Sequence, residues 1–331
     1  MRTHVISLRL FIVLFLVMLV ALSACGGQST TITGGSTKTA VPAASPIVDY
    51  YGSPVVVPKN VPQRIISLAP SASEILASLN LQSRVVGVDS NTNYPADMAS
   101  KQKVTTMSGI NTEQIVALKP DLILSAAGLT KPYESQLTKL GLDVIDLPGA
   151  NLMQTYSQIL AIGQLTSTQT AAQALVAQMK QQISQLQSQV KGSTQPKVLL
   201  EVDDSTPSKP YVFGGGSFGD ELLQAASAIN IFHDNTQNGG FPQVSDESII
   251  SANPQYIILT EDPNYGGNPA LVYKRANWQG ISAIKAHHVY HINSDIIQRP
   301  DARIVEGLRC LAQIVHPNKF TELLPAYCLA S

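Results

Sequence analysis

The feature of this sequence that most constrains its fold is an internal repeat. Residues 111–124 align without a gap on residues 245–258, and both stretches contain a short amphipathic run, a proline and an apolar run in that order. Asn111 and Ser245 are of residue types that cap helix N-termini, and a proline cannot continue a helix. Each stretch therefore predicts a short helix followed by a buried strand. A tandem pair of similar lobes explains the match better than chance does.

Short apolar runs support the same two-lobe organisation. Their hydrophobicity is continuous rather than alternating, which indicates strands buried on both faces of a parallel sheet. The runs form two groups, Ile65–Leu68, Val85–Val88, Leu122–Leu124 and Val144–Leu147, then Val198–Val202, Tyr256–Leu259 and Val289–Ile292. We therefore predict an α/β protein with one lobe at residues 61–150 and a second at residues 197–331.

The longest helical pattern of the chain lies between these two groups of strands. Apolar residues recur there at steps of three or four, at Leu175, Met179, Ile183, Leu186 and Val190. A helix from about residue 168 to residue 191 would measure roughly 36 Å, which is long enough to run along one lobe and into the next. We predict that residues 151–196 are an interlobe segment that contains this helix.

The N-terminus predicts export and a lipid anchor. Two arginines precede the apolar run Leu10–Leu22, which is too short to cross about 30 Å of hydrocarbon and suits a secretory signal. Leu22-Ser23-Ala24-Cys25-Gly26 at its end resembles the lipobox of bacterial lipoproteins, in which the cysteine is acylated. We expect a signal peptide at residues 1–24, a lipidated Cys25 and a flexible tether to residue 60. An ordinary signal peptide with a chance cysteine is the alternative.

Charge and residue distribution argue against several classes of function. The 331 residues include 22 Lys+Arg and 23 Asp+Glu, so the whole chain has no basic footprint for nucleic acid. Apart from His4, every histidine falls in the second half of the chain, so the first lobe offers none to a metal between lobes. We predict no metal site, no cofactor and no catalytic residue. A surface metal site at His287, His288 and His291 is the alternative to solvated or packed histidines.

One glycine-rich turn, Gly214–Gly219, matches the G-x-G-x-x-G pattern after a short apolar run. In that context the glycines could admit the pyrophosphate of a dinucleotide to a helix N-terminus. Export argues against a soluble nicotinamide ligand, so we interpret the turn as the tight edge of a cleft. Tyr211 and Phe213, which precede it, are therefore candidate ligand-binding residues.

The two remaining cysteines, Cys310 and Cys328, would meet an oxidising compartment after export. A disulfide between them is permitted there. One buried thiol and one thiol in a loose C-terminal tail are the alternative, and the sequence leaves both possibilities open.

Several segments together resemble the periplasmic binding proteins of ABC importers for cobalamin and ferric siderophores. They are Arg64–Leu76, Val85–Val88, Asn93–Pro95 and the two repeated stretches. The likeness extends from about Val61 to Val315 and is closest to the cobalamin binders, through Asn293–Ile304. It implies two Rossmann-like lobes joined by one long helix. It also implies a non-enzymatic monomer that holds a small molecule between its lobes and delivers it to a permease dimer.

The resemblance also implies ligand-binding residues. Asp295 and Arg299 match positions that hydrogen-bond the side-chain amides of the corrin, and Tyr94 and Phe241 match aromatic residues beside the ring. Met107 stands where cobalamin binders often carry a tryptophan. A siderophore, haem or another corrinoid is therefore an alternative ligand, and any metal would be carried by the ligand. An exported hydrolase that uses the cleft is the alternative from another class.

Two acids are candidates for docking to the permease. Glu74 matches an acidic residue that meets an arginine pocket on the permease in this family, and Glu221 is its counterpart in the second lobe, with Asp220 as the alternative there. Ser71 and Glu74 also have the spacing of a helix capping box, which would give Glu74 a local structural role instead. Both interpretations remain open from the sequence.

Overall fold

The computed structural model describes residues 46–106, 109–206 and 208–330. The expected signal peptide, Cys25, most of the tether and Met107 lie outside these ranges.

The first lobe is a four-stranded parallel sheet flanked by helices. Its elements are β1 (Ile65–Ser67), α1 (Pro70–Ser78), β2 (Val85–Val88), α2 (Ala96–Ala99), β3 (Thr105–Thr106), β4 (Gly109–Ile110), α3 (Thr112–Ala117), β5 (Leu122–Ala126), α4 (Lys131–Lys139) and β6 (Val144–Leu147). The strand order is β2-β1-β5-β6, while β3 and β4 form a separate antiparallel pair. Strands β1 and β5 are buried along their whole length, which explains their unbroken apolar sequences.

Two consecutive helices, α5 (Leu152–Leu165) and α6 (Gln169–Val190), follow the first lobe. Asn151 caps α5, because its side-chain oxygen accepts a hydrogen bond from the backbone N–H of Gln154 at 2.9 Å.

The second lobe also contains a parallel sheet, but the strands at one edge of this sheet differ from those in the first lobe. Its elements are β7 (Lys197–Asp203), β8 (Tyr211–Val212), α7 (Phe218–Ala225), β9 (Ile229–Asn230), α8 (Gln237–Gly240), α9 (Asp246–Ala252), β10 (Tyr256–Leu259), α10 (Pro269–Val272), α11 (Ser282–Lys285), β11 (Val289–His291) and α12 (Ile304–Val315). Strands β11, β10 and β7 are parallel neighbours in that order. On the other side of β7, β8 pairs antiparallel with its carboxyl end and β9 pairs parallel with its start.

The internal repeat corresponds to α3 with β5 and to α9 with β10. Asn111 caps α3 by accepting from the N–H of Gln114 at 3.0 Å, and Ser245 caps α9 by accepting from the N–H of Ser248 at 3.3 Å. In both lobes the strand begins two residues after the proline and lies inside the sheet. The prediction of two similar lobes is confirmed.

Helix α6 is the long interlobe helix that the periodicity predicts. It packs against α5, which contacts α1 of the first lobe, and against α12 and α7 of the second lobe. Its 22 residues correspond to about 33 Å. The buried stripe comprises Ala172, Val176, Met179, Ile183, Leu186 and Val190. The predicted α/β fold of two lobes joined by one long helix is confirmed, and no helix in the described ranges is long and apolar enough to cross a membrane.

Residues 46–60, which the sequence analysis assigned to the tether, lie against the first lobe. Ile47 is buried in the main hydrophobic core, and Val48 pairs antiparallel with Pro54. The N–H of Tyr50 donates to the carbonyl of Asp146 in β6 at 2.7 Å. These contacts form because this stretch carries aliphatic and aromatic residues, unlike the Gly/Ser/Thr-rich sequence before it. The first lobe therefore includes residues from Ile47 onward, which corrects the predicted boundary at residue 61.

Candidate functional site

Loops that leave the carboxyl edges of the two parallel sheets contact each other. In open α/β sheets this edge is where ligands bind. The chain that leaves β2 carries Asn93 and Tyr94, and the chain that leaves β11 carries Asp295 and Arg299. Nδ2 of Asn93 donates to Oδ2 of Asp295 at 2.8 Å, so the two edges are in contact. We call this region the interlobe cleft. It contains three of the ligand-binding residues suggested by the resemblance, Tyr94, Asp295 and Arg299.

Arg299 is bound to both lobes. Its Nη1 donates to Oε1 of Glu74 and to Oδ1 of Asn93, each at 2.7 Å, and its Nη2 donates to the carbonyl of Asn91 at 3.2 Å. Within its own lobe, Nη2 lies 2.6 Å from Oδ1 of Asp295. The guanidinium therefore has fixed partners on several sides.

Arg303 completes this group and was missed by the sequence analysis. Its Nε donates to Oε2 of Glu74, and its Nη2 donates to Oε1 at 2.7 Å. Its guanidinium carbon lies 4.0 Å from the centroid of the Tyr94 ring, within the range of a cation–π interaction. The available signal was the second arginine in Asn293–Ile304, four residues after Arg299. We refer to Glu74, Asn93, Asp295, Arg299 and Arg303 as the interlobe cluster.

A buried aspartic acid adjoins the interlobe cluster. Asp301 is fully buried, and its Oδ1 accepts from the N–H of Arg303 at 2.7 Å. Burial, and then the nearby charge of Glu74, raise the pKa of Asp301 well above its usual value, and a hydrogen bond with Glu74 acts in the same direction. Within the interlobe cluster itself, the guanidinium groups of Arg299 and Arg303 face the two carboxylates of Glu74 and Asp295. The positive and negative charges of the cluster therefore balance.

A chain of polar side chains holds the loop that carries Asn93 and Tyr94. Oδ1 of Asp89 accepts from the N–H of Asn91 at 2.8 Å, and its Oδ2 accepts from the hydroxyl of Thr92. Lys103 donates to the carbonyl of Thr92. Burial raises the pKa of Asp89 and lowers the pKa of Lys103. These bonds anchor the part of the loop that immediately precedes Asn93 and Tyr94.

The predicted aromatic residues of the second lobe lie in different environments. Tyr211 is 38% exposed and pairs with Asp203 at the carboxyl end of β7. Phe241 is partly buried and packs on Phe213 and Phe218, with ring centroids 5.4 and 5.9 Å away. Phe213 is fully buried, because it fills the core below these rings. This placement corrects the prediction for Phe213, which supports Phe241 rather than facing a ligand.

The glycine-rich turn is tightly packed against protein backbone. The N–H of Gly214 donates to the carbonyl of Gly240 at 2.8 Å, and the N–H of Gly215 donates to the carbonyl of Asn235 at 2.9 Å. A Cβ on Gly215 would lie 1.9 Å from the carbonyl oxygen of His233. These amides are already satisfied, which favours a tight turn over a phosphate-binding loop.

The same turn contains G-x-S-x-G at Gly215–Gly219, a pattern of hydrolase nucleophiles that was overlooked in the sequence. Ser217 is fully buried, its hydroxyl donates to the carbonyl of Gly214 at 2.7 Å, and its oxygen accepts from the N–H of Asp220 at 3.2 Å. It therefore caps α7 instead of facing a cleft.

Within the described residues, no group of three or more His, Cys, Asp or Glu side chains could hold a metal ion.

Neither predicted docking acid projects freely from the surface. Glu74 is 3% exposed and its carboxylate is bonded to Arg299 and Arg303 of the second lobe, so it does not face outward to a partner in this structure. The capping-box alternative is also wrong, because the N-cap of α1 is Ala69 and no side chain caps that helix.

Glu221 makes an equivalent internal contact in the second lobe. Its Oε2 accepts from the N–H of Leu152, the first residue of α5, at 2.6 Å, and burial raises its pKa. The carboxylate thus satisfies a free amide of a helix N-terminus. Glu74 of the first lobe binds Arg303, which lies at the start of α12. Glu221 of the second lobe binds Leu152, which lies at the start of α5. In both cases the helix follows the last strand of the opposite lobe. The alternative acid, Asp220, is 2% exposed and bonded to Asn230.

Two other acids occupy equivalent exposed positions in the lobes. Glu113 and Glu247 align in the internal repeat, and each lies in the first turn of its helix, α3 or α9. Both side chains are exposed. A helix that precedes a parallel strand begins near the carboxyl edge of the sheet, so both acids belong to the face that carries the cleft. The repeat itself was the signal for them, since it places a glutamate at the same position in both lobes.

Comparison with known proteins identifies relatives over most of the chain. The family model for periplasmic binding proteins matches residues 65–296. The ABC transporter substrate-binding lipoprotein YvrC of Bacillus subtilis is 32% identical over 282 residues, which cover 83% of this chain and 87% of that protein. The vitamin B12-binding protein of Vibrio cholerae is 28% identical over 249 residues, covering 74% of this chain and 86% of that protein.

A solved structure has the same fold. The crystal structure of a possible iron-binding periplasmic solute-binding protein from Staphylococcus epidermidis superposes with a TM-score of 0.68 at 30% identity. The superposition covers 78% of this chain and 100% of that one.

Proposed function

The chain belongs to the periplasmic binding protein family, and from this premise we propose that it is a lipid-anchored extracytoplasmic receptor for a cobalamin-like ligand. The ligand binds in the interlobe cleft without chemical change and is delivered to the permease of an ABC importer. The observation that carries the proposal is the contact of Asn93 with Asp295 and Arg299, which brings hydrogen-bonding groups of both lobes to the ligand-binding edge of the fold.

The charge balance of the interlobe cluster favours a ligand with neutral polar groups at its rim. Arg299 and Arg303 are compensated by Glu74 and Asp295. A carboxamide can donate to a carboxylate and accept from a guanidinium at the same time, so it can replace contacts in this cluster without adding charge. Tyr94, which is 47% exposed, supplies an aromatic surface beside these groups. Corrin side-chain amides around a flat ring match this combination.

Anionic ligands such as haem or a ferric catecholate siderophore fit this cluster less well. They require uncompensated cations, because burying a carboxylate or catecholate without a partner is costly. At the edge of the second lobe, Arg275 is likewise paired, with Glu201 and Asp204 each at 2.7 Å. The names of the relatives, which include vitamin B12-binding proteins and a possible iron-binding protein, are compatible with either ligand class.

Ligand binding would require side chains that now bond across the cleft to bond to the ligand instead. In this structure the hydrogen-bonding groups of Asp295 and Arg299 are bonded to Asn93 and Glu74 of the opposite lobe. A ligand in the cleft would replace the Asn93–Asp295 contact with its own amides. The Glu74 and Arg303 pair lies beside this contact and can remain in place when the ligand binds.

We assign permease docking to Glu113 and Glu247 instead of Glu74 and Glu221. One exposed acid at the same position of each lobe allows a two-point contact that spans the cleft. Glu247 is fully exposed, and its own backbone N–H and the Ser245 hydroxyl lower its pKa, so it carries a full negative charge at neutral pH. Arginine pockets on a permease dimer would complement such a pair.

The lipid anchor is proposed at Cys25. Its support is the lipobox-like sequence and the lipoprotein name of the Bacillus subtilis relative. Replacing Cys25 with serine should leave the protein unacylated and release it from the membrane fraction. Retention of acyl label by Cys25→Ser would refute this assignment.

The ligand assignment is tested by thermal denaturation of the protein from Gly26 onward with cyanocobalamin, haem and a ferric catecholate siderophore. A bound ligand raises the melting temperature in proportion to RT ln(1 + [L]/Kd). We expect cyanocobalamin to stabilise the protein and Asp295→Ala to reduce this stabilisation. A shift with haem or the siderophore but none with cyanocobalamin would replace the cobalamin assignment. Turnover of ester, glycoside or phosphoester substrates would contradict the receptor function.

A further inference from the structure

The C-terminal segment encloses the part of the second lobe that carries Asp295. We call residues 317–330 the C-terminal strap. A disulfide joins Cys328 of the strap to Cys310 of α12, and both cysteines are fully buried. This pairing decides between the two possibilities left open by the sequence.

The strap is bonded to the chain that leaves β11. Leu329 pairs antiparallel with Ile292, and the carbonyl of Cys328 accepts from the N–H of Asn293 at 3.0 Å. Oδ1 of Asn293 in turn accepts from the N–H of Asp295 at 3.0 Å. Two consecutive hydrogen bonds therefore connect the disulfide to Asp295.

The other side of this segment rests on α12. Ile296 is fully buried in one apolar cluster with Cys310 and Cys328. At Gly307 of α12, an added Cβ would lie only 2.3 Å from the carbonyl oxygen of Ile296. The segment therefore has no room to move toward the helix, and the strap holds the chain just before it, at Ile292 and Asn293.

We propose that the Cys310–Cys328 disulfide is a positioning element for the ligand-binding groups of Asp295 and Arg299. The proposal rests on the function proposed above, which gives these two residues their ligand. Without the covalent bond, the strap can separate from α12, and Asn293 loses the carbonyl that orients it. Asp295 would then sample several positions, and ligand binding would be weakened by the entropy lost when one of these positions is fixed.

Hydrogen–deuterium exchange tests the positioning directly and does not depend on the ligand. The protein is compared in its oxidised form, after reduction with tris(2-carboxyethyl)phosphine, and as the double variants Cys310→Ser/Cys328→Ser and Cys310→Ala/Cys328→Val. The second variant keeps apolar packing without the bond, so it remains useful if the serine variant does not fold. We expect amides 293–298 to exchange about ten-fold faster without the disulfide, while amides of β1 and β5 are unchanged. Reoxidation of the reduced protein should restore the slow exchange.

A cyanocobalamin titration of the same samples links positioning to binding. We expect the dissociation constant to rise about ten-fold without the disulfide, mainly through faster dissociation. Glu322→Gln is the matched control, because it breaks the exposed strap contact with Arg309 and leaves the disulfide intact. Unchanged exchange at residues 293–298, or equal affinity with and without the disulfide, would overturn the proposal. If the oxidised protein binds no cyanocobalamin, the ligand assignment fails, whereas the exchange result still decides whether the disulfide positions this segment.

Discussion

Glu74 of the first lobe and Arg299 of the second form an ion pair across the interlobe cleft, with 2.7 Å between Oε1 and Nη1. The same carboxylate also binds Arg303, so one residue of α1 holds two guanidinium groups of the opposite lobe. The pairing explains why Glu74 is buried despite its charge. It also removes Glu74 from the surface that a permease could contact.

Replacing Glu74 with glutamine should destabilise the protein strongly. The change leaves Arg299 and Arg303, whose side chains are 13% and 15% exposed, without their shared carboxylate. Loss of one partner of a mostly buried ion pair costs about 3 kcal/mol. The free energy of unfolding in urea measures this cost. The control Glu322→Gln, in an exposed pair, should cost less than about 1 kcal/mol, and equal costs for the two variants would contradict the buried-pair account.

Asp301→Asn should make stability less dependent on pH. The pKa of Asp301 is raised in the folded protein, so the wild type loses stability as pH rises from about 4 toward that folded pKa. Asparagine cannot ionise and can keep both hydrogen bonds, to Arg303 and to Glu74. The free energy of unfolding of the variant, relative to that of the wild type, should therefore rise by up to about 1.4 kcal/mol per pH unit within that window. Urea denaturation at pH 5 and pH 8 gives the comparison. If the free energy of unfolding of Asp301→Asn falls relative to that of the wild type between pH 5 and pH 8, Asp301 is ionised in the folded protein and the prediction is wrong.

The double variant Glu113→Gln/Glu247→Gln should separate binding from delivery. Glutamine retains the geometry of the helix first turn, so the fold and the affinity for ligand should not change. Ligand-dependent ATPase activity of the importer in proteoliposomes should fall about ten-fold, because the two charges that face the permease are removed. Unaltered ATPase activity would exclude these acids as the docking pair. Glu322→Gln again serves as an exposed acid outside the repeat.

Reduction of the disulfide should lower the free energy of unfolding. The bond joins residues separated by 18 positions, and closing a loop of this length contributes about 3 kcal/mol. Urea denaturation of oxidised and reduced protein measures the difference. No difference would mean that the strap is held by its other contacts, such as the hydrogen bond from Gln313 to the carbonyl of Glu322.

Much of the fold could be predicted because it is encoded by local patterns. The caps at Asn111 and Ser245, the strands that follow the prolines and the stripe of α6 each depend on residues close in sequence. The docking of residues 46–60 was missed although this stretch is richer in aliphatic and aromatic residues than the sequence before it, because the surface that Ile47 meets is formed by residues distant in sequence.

The candidate site was only partly accessible from the sequence. The resemblance pointed to Tyr94, Asp295 and Arg299, which the structure brings to the same region. The pairing of Glu74 with Arg303 was missed, since it joins residues of different lobes and depends on how the lobes meet. The burial of Phe213 was missed because an apolar residue beside a glycine turn suits either a cleft or a core.

The most direct test of the central claim is a calorimetric titration of cyanocobalamin into the protein from Gly26 onward. The account predicts saturable binding of one ligand per chain, weakened by Tyr94→Ala and by Asp295→Ala but not by Glu113→Gln. Saturable binding that is indifferent to Tyr94 and Asp295, or no binding of any corrinoid, would contradict a cobalamin-like ligand held between the two lobes.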